Sequence, residues 1–125
     1  MKVKDAIDLA NEWEENRFST ATKVEWLTLL DGKILEEVIN AHEDADEMES
    51  DLPYTVADYA TQDLLVPDPY SDFYPLYLQA QIQLSNGDTA RYNQSVALYN
   101  NAYQTWQDAY NRAHMPIKHF GFYKV

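Results

Sequence analysis

A chain of 125 residues, 46% apolar and 14% aromatic, is long enough to bury one core and too apolar to be a disordered segment. It has no cysteine, which excludes a disulfide scaffold, thiolate zinc sites and cysteine nucleophiles, and its net charge of −12 argues against wrapping a phosphate backbone. No apolar run approaches the roughly 20 residues that span a bilayer, and Met1 to Lys4 lead into a mixed polar segment, so a soluble intracellular protein with no membrane contact is expected.

The charge is uneven. Residues 1–51 hold 15 acids against 5 bases, whereas residues 52–125 hold 6 against 4. From the N-terminus, Val3, Ile7, Ala10 and Trp13 share a face, which predicts a first helix over Val3 to Glu15. Asn16 to Ser19 form a polar break. A second helix is predicted to start near Thr22, whose hydroxyl caps it while Glu25 reaches back. Val24, Leu27, Leu30, Ile34, Val38 and Ala41 mark its apolar stripe, broadened by Trp26, Leu29 and Leu35. Gly32 inside this helix marks either a close helix crossing or a tolerated glycine, at about 1 kcal/mol against alanine.

Eight acids follow without a lysine or arginine: Glu36, Glu37, Glu43, Asp44, Asp46, Glu47, Glu49 and Asp51. Carboxylates at a helix C-terminus oppose the macrodipole, so the helix is expected to fray here. Leu52 to Pro69, with Pro53, Pro67 and Pro69, reads as a long irregular connection, and such connections are usually functional or partly disordered. A third helix opens after Pro69, capped by Ser71 or Asp72, with Pro75 in its first turn. Phe73, Leu76, Tyr77, Ala80 and Leu84 are its expected buried face. Asn86-Gly87-Asp88 ends it and starts a fourth, so the two form an antiparallel hairpin.

The fourth helix, Asp88 to Ala113, carries a ladder of large residues. Tyr92, Val96, Tyr99, Tyr103, Trp106 and Tyr110 alternate spacings of four and three, one stripe of a helix. Tyrosine supplies apolar area yet keeps a hydroxyl that needs water or a partner, so the stripe suits boundaries and interfaces. Met115-Pro116 closes the helix. Lys118 to Val125 form a tail alternating bases with aromatics, in which Phe120 and Phe122 share one side of a strand and Tyr123 follows. Such a tail either folds back on its own bundle or adds to a neighbour. The expected architecture is all-α: about four helices over residues 1–116, then an extended tail over 117–125.

Catalytic and metal chemistry find little support. The acids around His42 lack the glycine of a calcium loop and read as a solvated face. His114 and His119 lack the helical pairing of a zincin. No serine or threonine sits in a nucleophile arrangement, and three glycines make no phosphate loop. No enzyme, metal or cofactor is expected.

Three motifs together resemble a known family. They are Leu64-Leu65-Val66-Pro67-Asp68-Pro69-Tyr70 with Phe73-Tyr74 and Tyr77-Leu78; Asn86-Gly87 with Arg91-Tyr92-Asn93-Gln94-Ser95; and Ala102-Tyr103 with Tyr110-Asn111-Arg112-Ala113-His114-Met115-Pro116. The combination resembles the small helical head–tail connectors, also called adaptors or head-completion proteins, encoded beside portal and capsid genes in tailed phages and prophages. The likeness covers roughly residues 1–116. It implies a ring subunit in the virion neck, made in the bacterial host cytoplasm, partnered by portal and other neck proteins and touching DNA only in non-specific passage. The tail lies outside the matched part.

On that expectation Tyr92, Tyr99, Tyr103, Trp106, Tyr110, Phe120, Phe122 and Tyr123 are interface candidates. The eight acids from Glu36 to Asp51 are candidates for a channel surface that repels DNA and lets it slide. The alternative is a small acidic regulator, a DNA mimic or antitoxin-like inhibitor, that occupies a basic partner.

Overall fold

The computed structural model describes residues 1–39 and 50–113. Among the described residues the expected all-α architecture is present, with four helices, α1 (Val3–Trp13), α2 (Thr20–Glu37), α3 (Phe73–Ser85) and α4 (Thr89–Ala113). Among the described residues the only strand-like pairing is an isolated bridge between Lys2 and Asp63.

The first helix stops two residues early. Glu14 is extended (φ −141°, ψ 114°) and its amide still donates to the Ala10 carbonyl at 2.9 Å. Ala6 joins Val3, Ile7 and Ala10 in the buried face, while Trp13 is 44% exposed. Glu14 takes the inward position because its carboxylate has a partner. Arg91, in the first turn of α4, clamps it with both guanidinium nitrogens at 2.7 and 2.8 Å, and the Gln83 amide of α3 adds a third bond at 2.9 Å. One buried acid therefore joins the ends of three helices. Lys23 does similar work between α1 and α2: its buried ammonium donates to Asn11 Oδ1 at 2.7 Å and to the Phe18 carbonyl at 3.0 Å, and burial lowers its pKa.

Ser19, three residues before the expected cap, caps α2. Its hydroxyl oxygen accepts from the Thr22 amide at 3.1 Å, leaving the Thr22 side chain to bond the Ser19 hydroxyl. Val24, Leu27, Leu30, Ile34 and Val38 are buried as the spacing predicts, but Leu29 is 58% exposed and does not broaden the stripe. The helix ends at Glu37, and Ala41 lies outside the described residues. A Cβ at Gly32 would meet nothing within 4 Å, so no close crossing exists there and the glycine is simply tolerated.

The central element is α3, which packs against α1, α2 and α4. A helix covered on several sides has no single buried face, and this accounts for the departure from expectation. Phe73 and Ala80 are buried, but so are Tyr74, Leu78 and Ile82, while Leu84 is 51% exposed. Pro75 sits in the first turn as expected. Neither proposed cap acts as one: Asp72 makes no side-chain cap bond, and the Ser71 hydroxyl donates to Asp68 instead. Gly87, at φ +77°, ends the helix. Its amide donates to Leu84 O at 3.1 Å and the Asp88 amide to Gln83 O at 2.9 Å, the pairing that satisfies orphan carbonyls and turns the chain into α4.

The connection before α3, residues 50–72, contains no helix. The N-terminal segment ties it down, since the Val3 amide donates to Gln62 O at 3.0 Å and the Leu64 amide to Met1 O at 3.0 Å. Leu64, Leu65 and Val66 are buried in the core beside Tyr54.

Arg91→Ala strands the Glu14 carboxylate in a buried site and should cost about 1–3 kcal/mol in urea unfolding. Adding Glu14→Gln to Arg91→Ala should recover part of that loss, because the neutral amide no longer needs a cation. A double variant no more stable than the single would show that the clamp does not carry this stability.

Candidate functional site

The site is an aromatic seam resting on a buried carboxylate. Phe73, at the start of α3, is fully buried and forms its hub. Tyr99, Tyr103 and Trp106 of α4 approach it with ring centroids at 6.0, 5.5 and 6.1 Å. The ladder continues along α4, with Tyr99 to Tyr103 at 5.8 Å, Tyr103 to Trp106 at 5.6 Å and edge-on, and Trp106 to Tyr110 at 5.5 Å. Tyr77 of α3 meets Tyr99 at 5.4 Å. These offset and tilted arrangements are the ones aromatic quadrupoles favour.

Beneath the seam lies Asp31 of α2, completely buried. Three donors from distant parts of the chain converge on it. The Tyr74 hydroxyl donates to Oδ1 at 2.7 Å, the Leu65 amide donates to Oδ2 at 3.0 Å, and the Tyr54 hydroxyl donates to Oδ2 as well. The Tyr74 oxygen in turn accepts from the Val66 amide at 3.0 Å, and the Tyr54 amide donates to Thr28 Oγ1 at 3.1 Å. Burial pushes the Asp31 carboxyl above its ordinary value, against the three hydrogen bonds that pull it down. Burial next to this carboxylate also raises the Tyr54 and Tyr74 phenols. Tyr99, Tyr103 and Tyr77 are raised too, chiefly by burial. All five therefore stay neutral hydroxyls at ordinary pH, those of Tyr54 and Tyr74 already donating to Asp31.

The expected interface residues divide into two groups. Trp106 and Tyr110 are buried in the protein's own core. Tyr92, Tyr99 and Tyr103 are half-buried. Tyr99 and Tyr103 line an open groove of about 370 Å³ with Tyr77 and, from α2, Leu29, Leu30, Lys33, Ile34 and Glu37. The fold thus brings one expected acidic residue, Glu37, beside two expected aromatic ones.

Of the other acids, Glu36 is exposed on the same helix. Asp51 is exposed and has a structural duty, accepting from the Asp63 amide at 2.7 Å. Glu43, Asp44, Asp46, Glu47 and Glu49 lie outside the described residues, as do Phe120, Phe122 and Tyr123. Among the described residues no group of three or more His, Asp or Glu is placed to hold a metal ion.

A feature of the α3–α4 hairpin was missed. Between Asp72 and Asp108 the only charged residues are Asp88 and Arg91. Along α4 this leaves an exposed flank of Asn93, Gln94, Ala97, Asn100, Asn101 and Gln104 around Leu98, which is 56% exposed. The gap in charge is readable in the sequence, but only the helix geometry shows that these positions face outward.

Comparison with known proteins finds no matching family model, no matching curated protein and no matching solved structure. No helix among the described residues is long and apolar enough to cross a membrane.

The raised Asp31 carboxyl has a pH signature. Between its ordinary value of 3.8 and its higher native value, the folded state binds more protons than the unfolded state. Its contribution to stability is therefore complete below 3.8 and is lost as pH rises through the native value. The stability of the wild type relative to Asp31→Asn, which cannot titrate, should fall with rising pH across that window. Urea unfolding at several pH values measures this, and a relative stability that is flat or rising there would count against the assignment.

Proposed function

We propose that this chain is a structural subunit of the neck of a tailed phage or prophage virion, a head–tail connector made in the host cytoplasm. It docks to the portal, packs beside copies of itself in a ring and helps to line the DNA channel. The observation that carries this reading is the exposed flank of α4 between Arg91 and Asp108, which bears no charge over residues 92–107, on a chain of net charge −12. Strongly acidic copies repel one another wherever their carboxylates face, so close packing needs a surface without charge. Interface cores are depleted of charge in general. Between Asp72 and Asp108 the hairpin carries only Asp88 and Arg91.

Glu36 and Glu37 project from α2 and belong to the acidic stretch, which in this reading faces the channel. Duplex DNA carries about one charge per 1.7 Å of axis, so a negative wall lets it pass without capture. The groove lined by Tyr99 and Tyr103 supplies neutral donors and apolar area at its rim, a composition suited to contact with another protein.

Leu98→Glu combined with Asn101→Glu places two carboxylates on the outward flank without touching the core. Electron microscopy of the wild-type protein mixed with the portal of its own virion should show rings bound to the portal. The double variant should keep its circular dichroism and lose the rings. Rings that persist in the variant, or wild type that forms none with portal, would overturn the proposal.

A further inference from the structure

At the far end of α4 an apolar cleft of about 330 Å³ opens between the helix and the loop that precedes α3. Its walls include Leu65, Val66, Pro67 and Tyr70 on one side and Trp106 and Tyr110 on the other. Ala109 and Ala113 of α4 also line it. These alanines are small residues on the wall facing the loop, and they leave room for a bulky side chain from elsewhere. The volume falls in the range of sites that seat an aromatic ligand or anchor.

We infer that the occupant is the chain's own tail, residues 114–125, with Phe120 and Phe122 as the anchoring side chains. Three observations select it. The described chain ends at Ala113, on the wall of the cleft, and the sequence has a helix-breaking proline three residues on, at position 116. Twelve residues reach up to about 40 Å when extended, ample to return across the opening. Finally, the tail bears Lys118 and Lys124 and no acid, whereas the rest of the chain is strongly negative, so attraction draws the tail onto the body. The other segment that adjoins the cleft, the run after Ile39, is dense in carboxylates and unsuited to an apolar site.

A tethered segment meets its site at an effective concentration of about millimolar, so even a weak anchor stays bound until a competitor displaces it. This inference does not rest on the connector reading.

The absence of native cysteine makes the test clean. In the full chain, Pro67→Cys is paired with Gly121→Cys, and disulfide formation is followed on non-reducing gels. The tail on its own cleft gives a rapidly crosslinked monomer, and adding Phe120→Ser and Phe122→Ser reduces the rate to that of a Gln94→Cys/Gly121→Cys control on the outward flank of α4. Crosslinked dimers in place of monomer, a control as fast as the test pair, or serine variants that crosslink undiminished would each overturn the inference. Hydrogen exchange asks the same question without cysteines. The amides of residues 64–66 and 106–113 should exchange faster in the Phe120→Ser/Phe122→Ser chain than in the wild type, and unchanged exchange there would also overturn it.

Discussion

A buried carboxylate needs partners, and here the partners decide where the rest of the chain must go. Asp31 sits in the apolar stripe of α2 and can be satisfied only if Tyr54, Leu65 and Tyr74 converge on it. Those residues lie in the early loop, the late loop and the first turn of α3. Its raised pKa means that burial costs the ionised form more than the hydrogen bonds return. The interaction therefore contributes specificity more than raw stability: packings that leave Asp31 unpaired are far worse, so the chain selects the one that pairs it. The long connection is fixed in place by this requirement, and with it Val66, Tyr74 and the adjacent hub, Phe73.

Once Phe73 is fixed, the aromatic ladder of α4 has a single place to dock. Trp106 and Tyr110 close the core, burying area worth about 1.5–3 kcal/mol for a fully buried large side chain. Tyr99 and Tyr103 remain at the edge, where their hydroxyls reach a groove. The exposed flank of α4 between Arg91 and Asp108 is left with amides, alanine and Leu98. Charge is sparse between Asp72 and Asp108, and the proposed assembly rests on that gap.

Much of this was legible in the residues. The four helices, the Asn86-Gly87 turn and the seam from Tyr92 to Tyr110 all follow from local spacing and turn chemistry. What escaped were the buried polar residues, whose partners are distant in sequence: Asp31 pairs with Tyr54 and Tyr74, and Glu14 pairs with Gln83 and Arg91. A signal existed for both. Asp31 lies four residues after Leu27 and three before Ile34, and Glu14 lies four after Ala10, so each acid stands where an apolar residue is expected. The face of α3 was misread for a different reason, because periodicity cannot report a helix that packs on several sides. How the Leu52–Pro69 connection docks was also hidden, since Tyr54 and Leu65 meet the same remote carboxylate.

The most direct test of this account is a double-mutant cycle between Asp31→Asn and Tyr74→Phe, read by urea unfolding near neutral pH. If the carboxylate organises the fold through its phenol partners, the two changes couple by more than about 1 kcal/mol. Additive effects would mean that Asp31 and Tyr74 are neighbours without being the joint on which the structure depends.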